Sequence, residues 1–232
     1  AGWQMISYYP REGIDAIVAL SGIVDALLMA KDGSGRFYSP AFGFSNMGDM
    51  IPGQGYLLKM EEDAELVYTV EEELAGQSSS YLRPCLLPIH ANTDENMSLL
   101  VLSEVFEGEI GVYANGKFVG SGVIWNGRCG IAVWGDDPTT SQVDGALTGD
   151  IIAISLHDGN CLKDISLETV LGDNKYVSDG FEVIHIRDVN SSPEQLGIVD
   201  IYPNPFNSNT SITYNLSEAA KVEVALYDLA GR

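Results

Sequence analysis

The sequence predicts a mainly β protein: two small β-rich, sandwich-like domains followed by part of a third β domain. Three observations predict it. Short apolar segments alternate with polar residues along most of the chain. Glycine is abundant, 25 of 232 residues, and stands with Asn and Asp between those segments, where turns need it. No long heptad or helical repeat is present.

Residues 1–73 form the first expected unit. Residues 3–8 alternate as a strand. Ile14, Ile17 and Val18 have helical spacing, with Glu12 and Asp15 at its start, where the helix dipole favours acids. Residues 23–30 are a buried apolar run, closed by the turn signal Lys31-Asp32-Gly33-Ser34-Gly35. Phe37-Tyr38, residues 56–60 and residues 65–70 read as further strands. Residues 71–80 turn acidic, then small and polar, and the linker is placed at 74–80.

Residues 81–190 form the second unit. Strands are expected at 99–102, 110–113, 118–120, 123–125, 130–134, 151–156 and 181–186. Asn115-Gly116, between 110–113 and 118–120, and Asn126-Gly127, between 123–125 and 130–134, are turn signals, the first the strongest hairpin signal. Residues 191–198 read as a second linker. Residues 199–232 open on a rigid double turn, because each Pro fixes its own φ and extends the residue before it. Ile212, Tyr214 and Leu216 then alternate with polar residues, as do Val222, Val224 and Leu226. These residues alone give the hairpin start of a sandwich.

The same stretch resembles a known family. Tyr202-Pro203-Asn204-Pro205-Phe206-Asn207 is followed by Thr210-x-Ile212-x-Tyr214-x-Leu216. Val222-x-Val224-x-Leu226-Tyr227-Asp228-x-x-Gly231-Arg232 completes the series. In that order the motifs resemble the immunoglobulin-like C-terminal sorting domain of type IX (Por) secretion cargo. Family members continue past this Gly-Arg with more strands, so about half a domain is expected here. The resemblance implies export to the outside or surface of a gram-negative bacterium, with the type IX machinery as partner of the precursor. Gly2-Trp3, Lys31-Asp32, Tyr38-Ser39-Pro40 and Gly53-x-Gly55-Tyr56 resemble a module found beside such domains. Residues 108–150 resemble a recurrent β-module of secreted bacterial proteins.

Composition narrows the partners. With 33 acids against 12 bases the net charge is −21. That disfavours nucleic acid, whose binding needs clustered Lys and Arg, and an anionic membrane surface. No apolar run approaches the roughly 20 residues of a membrane span. No signal peptide is present at Ala1. Three cysteines occur, too few and too scattered for a zinc knuckle. Cys129 and Cys161 are the candidate disulfide pair; buried free thiols, or a bond to a neighbouring subunit, are the alternatives.

No catalytic constellation emerges, and the chain is read as a non-enzyme without a cofactor. The densest oxygen cluster, Asp136, Asp137, Asp144 and Asp150, is the candidate calcium site, against ordinary turn chemistry for Asp-Asp-Pro and Asp-Gly. His90, His157 and His185 lack metal-ligand spacing. Trp125, Trp134, Tyr113 and Phe118 are a candidate sugar platform; parity buries Trp134 and exposes Trp125. Two readings follow. The first is a structural or adhesive surface protein that self-associates, plausibly into a filament, by strand addition through Ile212, Tyr214, Leu216, Val222, Val224 and Leu226. The second is a polysaccharide-binding accessory region of a larger secreted hydrolase.

Overall fold

The computed structural model describes residues 1–68, 82–104, 107–157, 162–163, 165–188, 197–202 and 211–215. The fold is mainly β. The chain divides into two compact units, Ala1–Val189 and Asn190–Arg232. The expected domains 1–73 and 81–190 fall together in the first unit, as two sheets that share an apolar cluster. The linker expected at 74–80 lies outside the described residues.

The first sheet is built early in the chain. In order come β1 (Gly2–Ser7), β2 (Ile14–Asp15), helix α1 (Ala16–Ala19), β3 (Leu27–Asp32), β4 (Phe37–Ser39), β5 (Phe44–Ser45), β6 (Asp49–Met50) and β7 (Gly55–Met60). The sheet order is β1-β7-β3-β4-β5, and every pair is antiparallel. Helix α1 is a single turn. The Asp15 carboxylate accepts the Ile17 N–H at 2.9 Å, which satisfies one of the free donors at a helix start. Ser21-Gly22 follows at once and the chain passes into a 3-10 turn. Lys31, expected in a turn, instead belongs to β3 and is buried. Residues 65–68 do not form the expected strand. Tyr68 packs its ring edge against Tyr8 and Tyr9 at 5.0 and 5.1 Å.

The second sheet has eight strands. They are β8 (Asn96–Ser103), β9 (Glu107–Ala114), β10 (Lys117–Trp125), β11 (Arg128–Trp134), β12 (Ile152–His157), β13 (Leu162–Lys163), β14 (Ile165–Leu171) and β15 (Phe181–Asp188). Their order is β13-β12-β9-β10-β11-β8-β15-β14. The two edge strands, β13 and β14, are one residue apart in the chain. The sheet therefore curls until its edges approach, and one face encloses a single core. That core takes Leu99 and Val101 from β8, Ile110 and Val112 from β9, Ile131 and Val133 from β11, and Ile184 and Ile186 from β15. The Asn-Gly signals act as read: Asn115 and Gly116 have φ of 49° and 77°, Asn126 and Gly127 of 50° and 74°. Such pairs of positive φ make the tight hairpin turns that match strand twist. β10, expected as two strands, is one, bent by an irregularity between Phe118 and Gly120.

The two sheets meet on the outer face of β8 and β15. Met29 and Phe37 of the first pack with Leu100 and Val183 of the second, and Trp3, Phe42, Phe44, Leu102 and Phe181 surround them. Each fully buried side chain of this kind contributes about 1.5–3 kcal/mol. Lys31 reaches across from β3, pairs with Asp179 and donates to the Asn96 carbonyl at 3.3 Å. The contact is close at two glycines. A Cβ on Gly35 would lie 2.4 Å from that of Ala132, and one on Gly130 would lie 2.5 Å from the Phe44 ring.

The second unit contains a two-stranded antiparallel ladder, β16 (Gly197–Tyr202) and β17 (Ser211–Asn215). Ile201 pairs with Ile212 and Ile198 with Tyr214. The strand β16 starts inside the stretch expected as the 191–198 linker. Ile212 and Tyr214 of the candidate docking set lie in β17; Leu216, Val222, Val224 and Leu226 lie outside the described residues.

Candidate functional site

The face of β10 and β11 that points away from the core is the place to look for a site. Strand alternation puts Ser121, Val123 and Trp125 on it from β10, and Arg128, Gly130, Ala132 and Trp134 from β11. Residues 34–46 of the first sheet cover it on one side. The Asn46 side chain donates to the Gly130 carbonyl at 3.2 Å, and Arg128 Nη1 donates to the carbonyls of Phe42 and Gly43 at 3.0 and 2.9 Å. The segment 82–92 borders the other side, and Ser121 Oγ donates to the Pro88 carbonyl at 2.6 Å. Two depressions lie along this seam, each of about 440 Å³. Leu82 lines one and its chain neighbour Arg83 the other.

The segment 82–92 is fixed from beneath by Glu109. This carboxylate is 5% exposed. Its Oε1 accepts the N–H of Cys85 at 2.6 Å and of Leu86 at 3.0 Å. Its Oε2 accepts Leu86 at 2.9 Å and Leu87 at 2.9 Å. Burial alone would raise its pKa, but the three backbone donors together outweigh burial and hold it below the usual glutamate range. The exposed Cys85 thiol is pushed up by its hydrogen bond to, and the charge of, the same carboxylate. The sequence gives no warning of this clamp, because Glu109 sits in an ordinary Gly-Glu-Ile-Gly strand and its donors lie more than twenty residues upstream.

The sequence-derived aromatic platform is divided in space. Trp125 is 59% exposed and Trp134 7%, the expected order, but parity is not its cause: both lie on the outward face, and the first sheet's Gly35 region covers Trp134. Tyr113 and Phe118 pack edge to face, 5.7 Å between centroids, at the Asn115-Gly116 end of the hairpin. Trp125 stands at the opposite end of β10, seven residues on, about 20 Å away at strand rise. It shares a depression with Arg128, Asn126 and Ser45.

The candidate calcium residues serve their own turns. The Asp136 side chain accepts the Asp144 N–H at 2.7 Å and the Asp144 side chain accepts the Asp137 N–H at 3.0 Å. Asp137 accepts the N–H and hydroxyl of Thr139. Asp150 accepts the Leu147 N–H at 2.9 Å and an Asn115 amide N–H. Backbone donors hold the half-buried Asp144 carboxyl below its ordinary pKa, Asp137 first among them. Among the described residues no three His, Cys, Asp or Glu side chains gather as a metal group.

The histidines are dispersed. His90 faces the carbonyls of Ala91 and Asp144 at 2.7 and 3.0 Å, and His157 meets Ser155 Oγ at 3.2 Å. His185 lies in β15. Cys129 is a free buried thiol with its pKa driven up by burial; Cys161 lies outside the described residues. Among the described residues no helix is long and apolar enough to cross a membrane.

Searches against protein-family models, curated proteins and solved structures return no match to this chain.

Proposed function

We propose that this chain is part of an exported, non-enzymatic protein of the outer surface of a gram-negative bacterium, with a structural or adhesive role. The observation that carries this is the ordered motif series of residues 202–232, which resembles a type IX sorting domain. The paired strands β16 and β17 are consistent with the start of such a domain. Self-association by strand addition is proposed from the same region: among the described residues it holds a two-stranded ladder, and a ladder of that size is marginal alone in water and has edges open to another strand. A head-to-tail contact of that kind builds a filament unless its rotation closes a ring. A reporter fused ahead of the C-terminal region of the full-length protein tests the export reading. Release into the medium only when the type IX machinery is intact supports it; release in its absence overturns it.

A second reading is a carbohydrate-binding accessory region of a larger secreted hydrolase. It is favoured by the half-exposed indole of Trp125 at the lip of a depression between the two sheets.

A further inference from the structure

We propose that the seam along β10 and β11 binds an oligosaccharide carrying isolated carboxylates among neutral sugars, with Trp125, Arg128, Asn126 and Arg83 as its contacts. The inference rests on the second reading, that the chain binds carbohydrate, and narrows it to a site and a ligand class.

Charge distribution is the first observation. The chain has nearly three acids for each base, yet among the described residues no Asp or Glu lines either seam depression. Three of the six arginines, Arg36, Arg83 and Arg128, line them instead. Two further depressions contain Glu107 and Glu109, or Asp32, Asp94, Glu95 and Asp179. Arg36 is already neutralised by Asp32. Arg83 and Arg128 have no carboxylate partner among the described residues. An unpaired guanidinium presents a planar fork that matches a carboxylate in two parallel hydrogen bonds.

The second observation is the pairing of Trp125 with Arg128 across the Asn126-Gly127 turn. Residues directly opposite in an antiparallel pair stand about 5 Å apart on one face. The two side chains therefore leave the sheet as neighbours, and both line one depression. No cation covers the Trp125 ring among the described residues; the cation–π contacts present are those of Lys31 and Lys59 on Trp3. Arg128 uses Nη1 on two carbonyls of the first sheet, which fixes its direction and leaves Nε and Nη2 without a carboxylate partner among the described residues. A pyranose ring has an apolar C–H face that stacks on indole, and a carboxylate on the ring edge then meets Arg128. The exposed Asn126 amide supplies a donor and an acceptor for hydroxyls.

At the Trp125–Arg128 end of the seam recognition falls to side chains: β10 is laddered to β9 along its length and to β11 at that hairpin end, so the backbone there is already paired. Net charge sets the other limit. A chain at −21 repels a densely charged polyanion, whereas isolated carboxylates meet the local arginines within a Debye length of about 8 Å at physiological salt.

The test is isothermal titration of the full chain at about 0.1 M salt. The probes are a hyaluronan octasaccharide, with a carboxylate on every second sugar, its carboxyl-reduced neutral form, a polygalacturonate oligomer and a poly-glutamate peptide. The variants are Trp125→Ala and Arg83→Gln, both at exposed positions, with thermal melting to confirm the fold. The expected result is binding of hyaluronan, weakened at least tenfold by carboxyl reduction and by either substitution, with weaker binding of the other two probes. Equal binding of the neutral form, lost in Trp125→Ala alone, overturns the acidic class and leaves the carbohydrate reading standing. Equal or tighter binding of poly-glutamate or polygalacturonate overturns the sparse-charge argument. Binding untouched by both substitutions places the site elsewhere and overturns the proposal. Absence of binding to every saccharide overturns it together with the second reading.

Discussion

Replacing Glu109 by Gln isolates the one clamp that holds residues 85–87 against the second sheet. The change keeps the volume and one acceptor oxygen. It turns the other oxygen into an NH₂ group that faces backbone N–H donors at 2.6–3.0 Å. About one charge-assisted bond is lost, worth roughly 1.5–3 kcal/mol, and one N–H is left without a partner. The segment can rotate that N–H toward water, so the expected net cost is about 2–3 kcal/mol. For a unit of this size roughly 2–4 °C accompanies each kcal/mol, giving a fall in Tm of about 5–10 °C at pH 7. The pH dependence is fixed by the depressed folded pKa. Such a carboxylate stabilises fully above its unfolded value of about 4.3 and loses that contribution as pH falls through the folded value. Calorimetric melting of both proteins at pH 7, 5 and 3.5 should show a full gap at the first two and a smaller one at the last. Equal melting at pH 7, or a gap unchanged at pH 3.5, would refute the clamp.

Three further outcomes are expected. Gly130→Ala places a methyl 2.5 Å from the Phe44 ring and 2.8 Å from Asn46 Nδ2; overpacking of this kind costs about 1–3 kcal/mol, read by urea unfolding, while Gly33→Ala, with nothing within 4 Å, should sit within about 0.5 kcal/mol of the parent. Millimolar calcium should leave Tm unchanged in the parent and in Asp137→Ala alike, because the loop carboxylates already accept turn donors; a calcium shift present in the parent and absent in the variant would restore the loop as a cation site. Ile212→Pro deletes a ladder donor opposite Ile201, and light scattering should show self-association reduced; a concentration series identical to the parent's would count against strand addition.

The features legible in the sequence were the local ones. Alternation and Asn-Gly turns located β9, β10 and β11, because hairpin pairing is set within a few residues by backbone conformations that Asn and Gly tolerate. The exposure of Trp125 beside its turn and the burial of Trp134 were anticipated, but the second is due to cover from the first sheet near Gly35 and not to parity. Non-local features were hidden. The single strand β10 reads as two because Ser121-Gly122 interrupts its apolar run; in the structure both residues are within the strand. β14 was missed altogether; its Leu167, Val170 and Leu171 are exposed, so it lacks the buried periodicity that marks a strand. Lys31 looked like a turn residue and is buried, since its partners Asn96 and Asp179 come from distant parts of the chain. The seam has no sequence signature, because it is made by loops of the first sheet lying over a Gly-Ala floor in the second.

The claim on which the account most depends is export. The direct measurement is the location of the full-length protein in its own host, by fractionation and by protease added to intact cells, with and without a functional type IX translocon. The account predicts protease-accessible or released protein in the parent strain and retention in the periplasm when the translocon is disabled. Protein that stays in the cytoplasm of the parent, or reaches the surface equally in both strains, would contradict it.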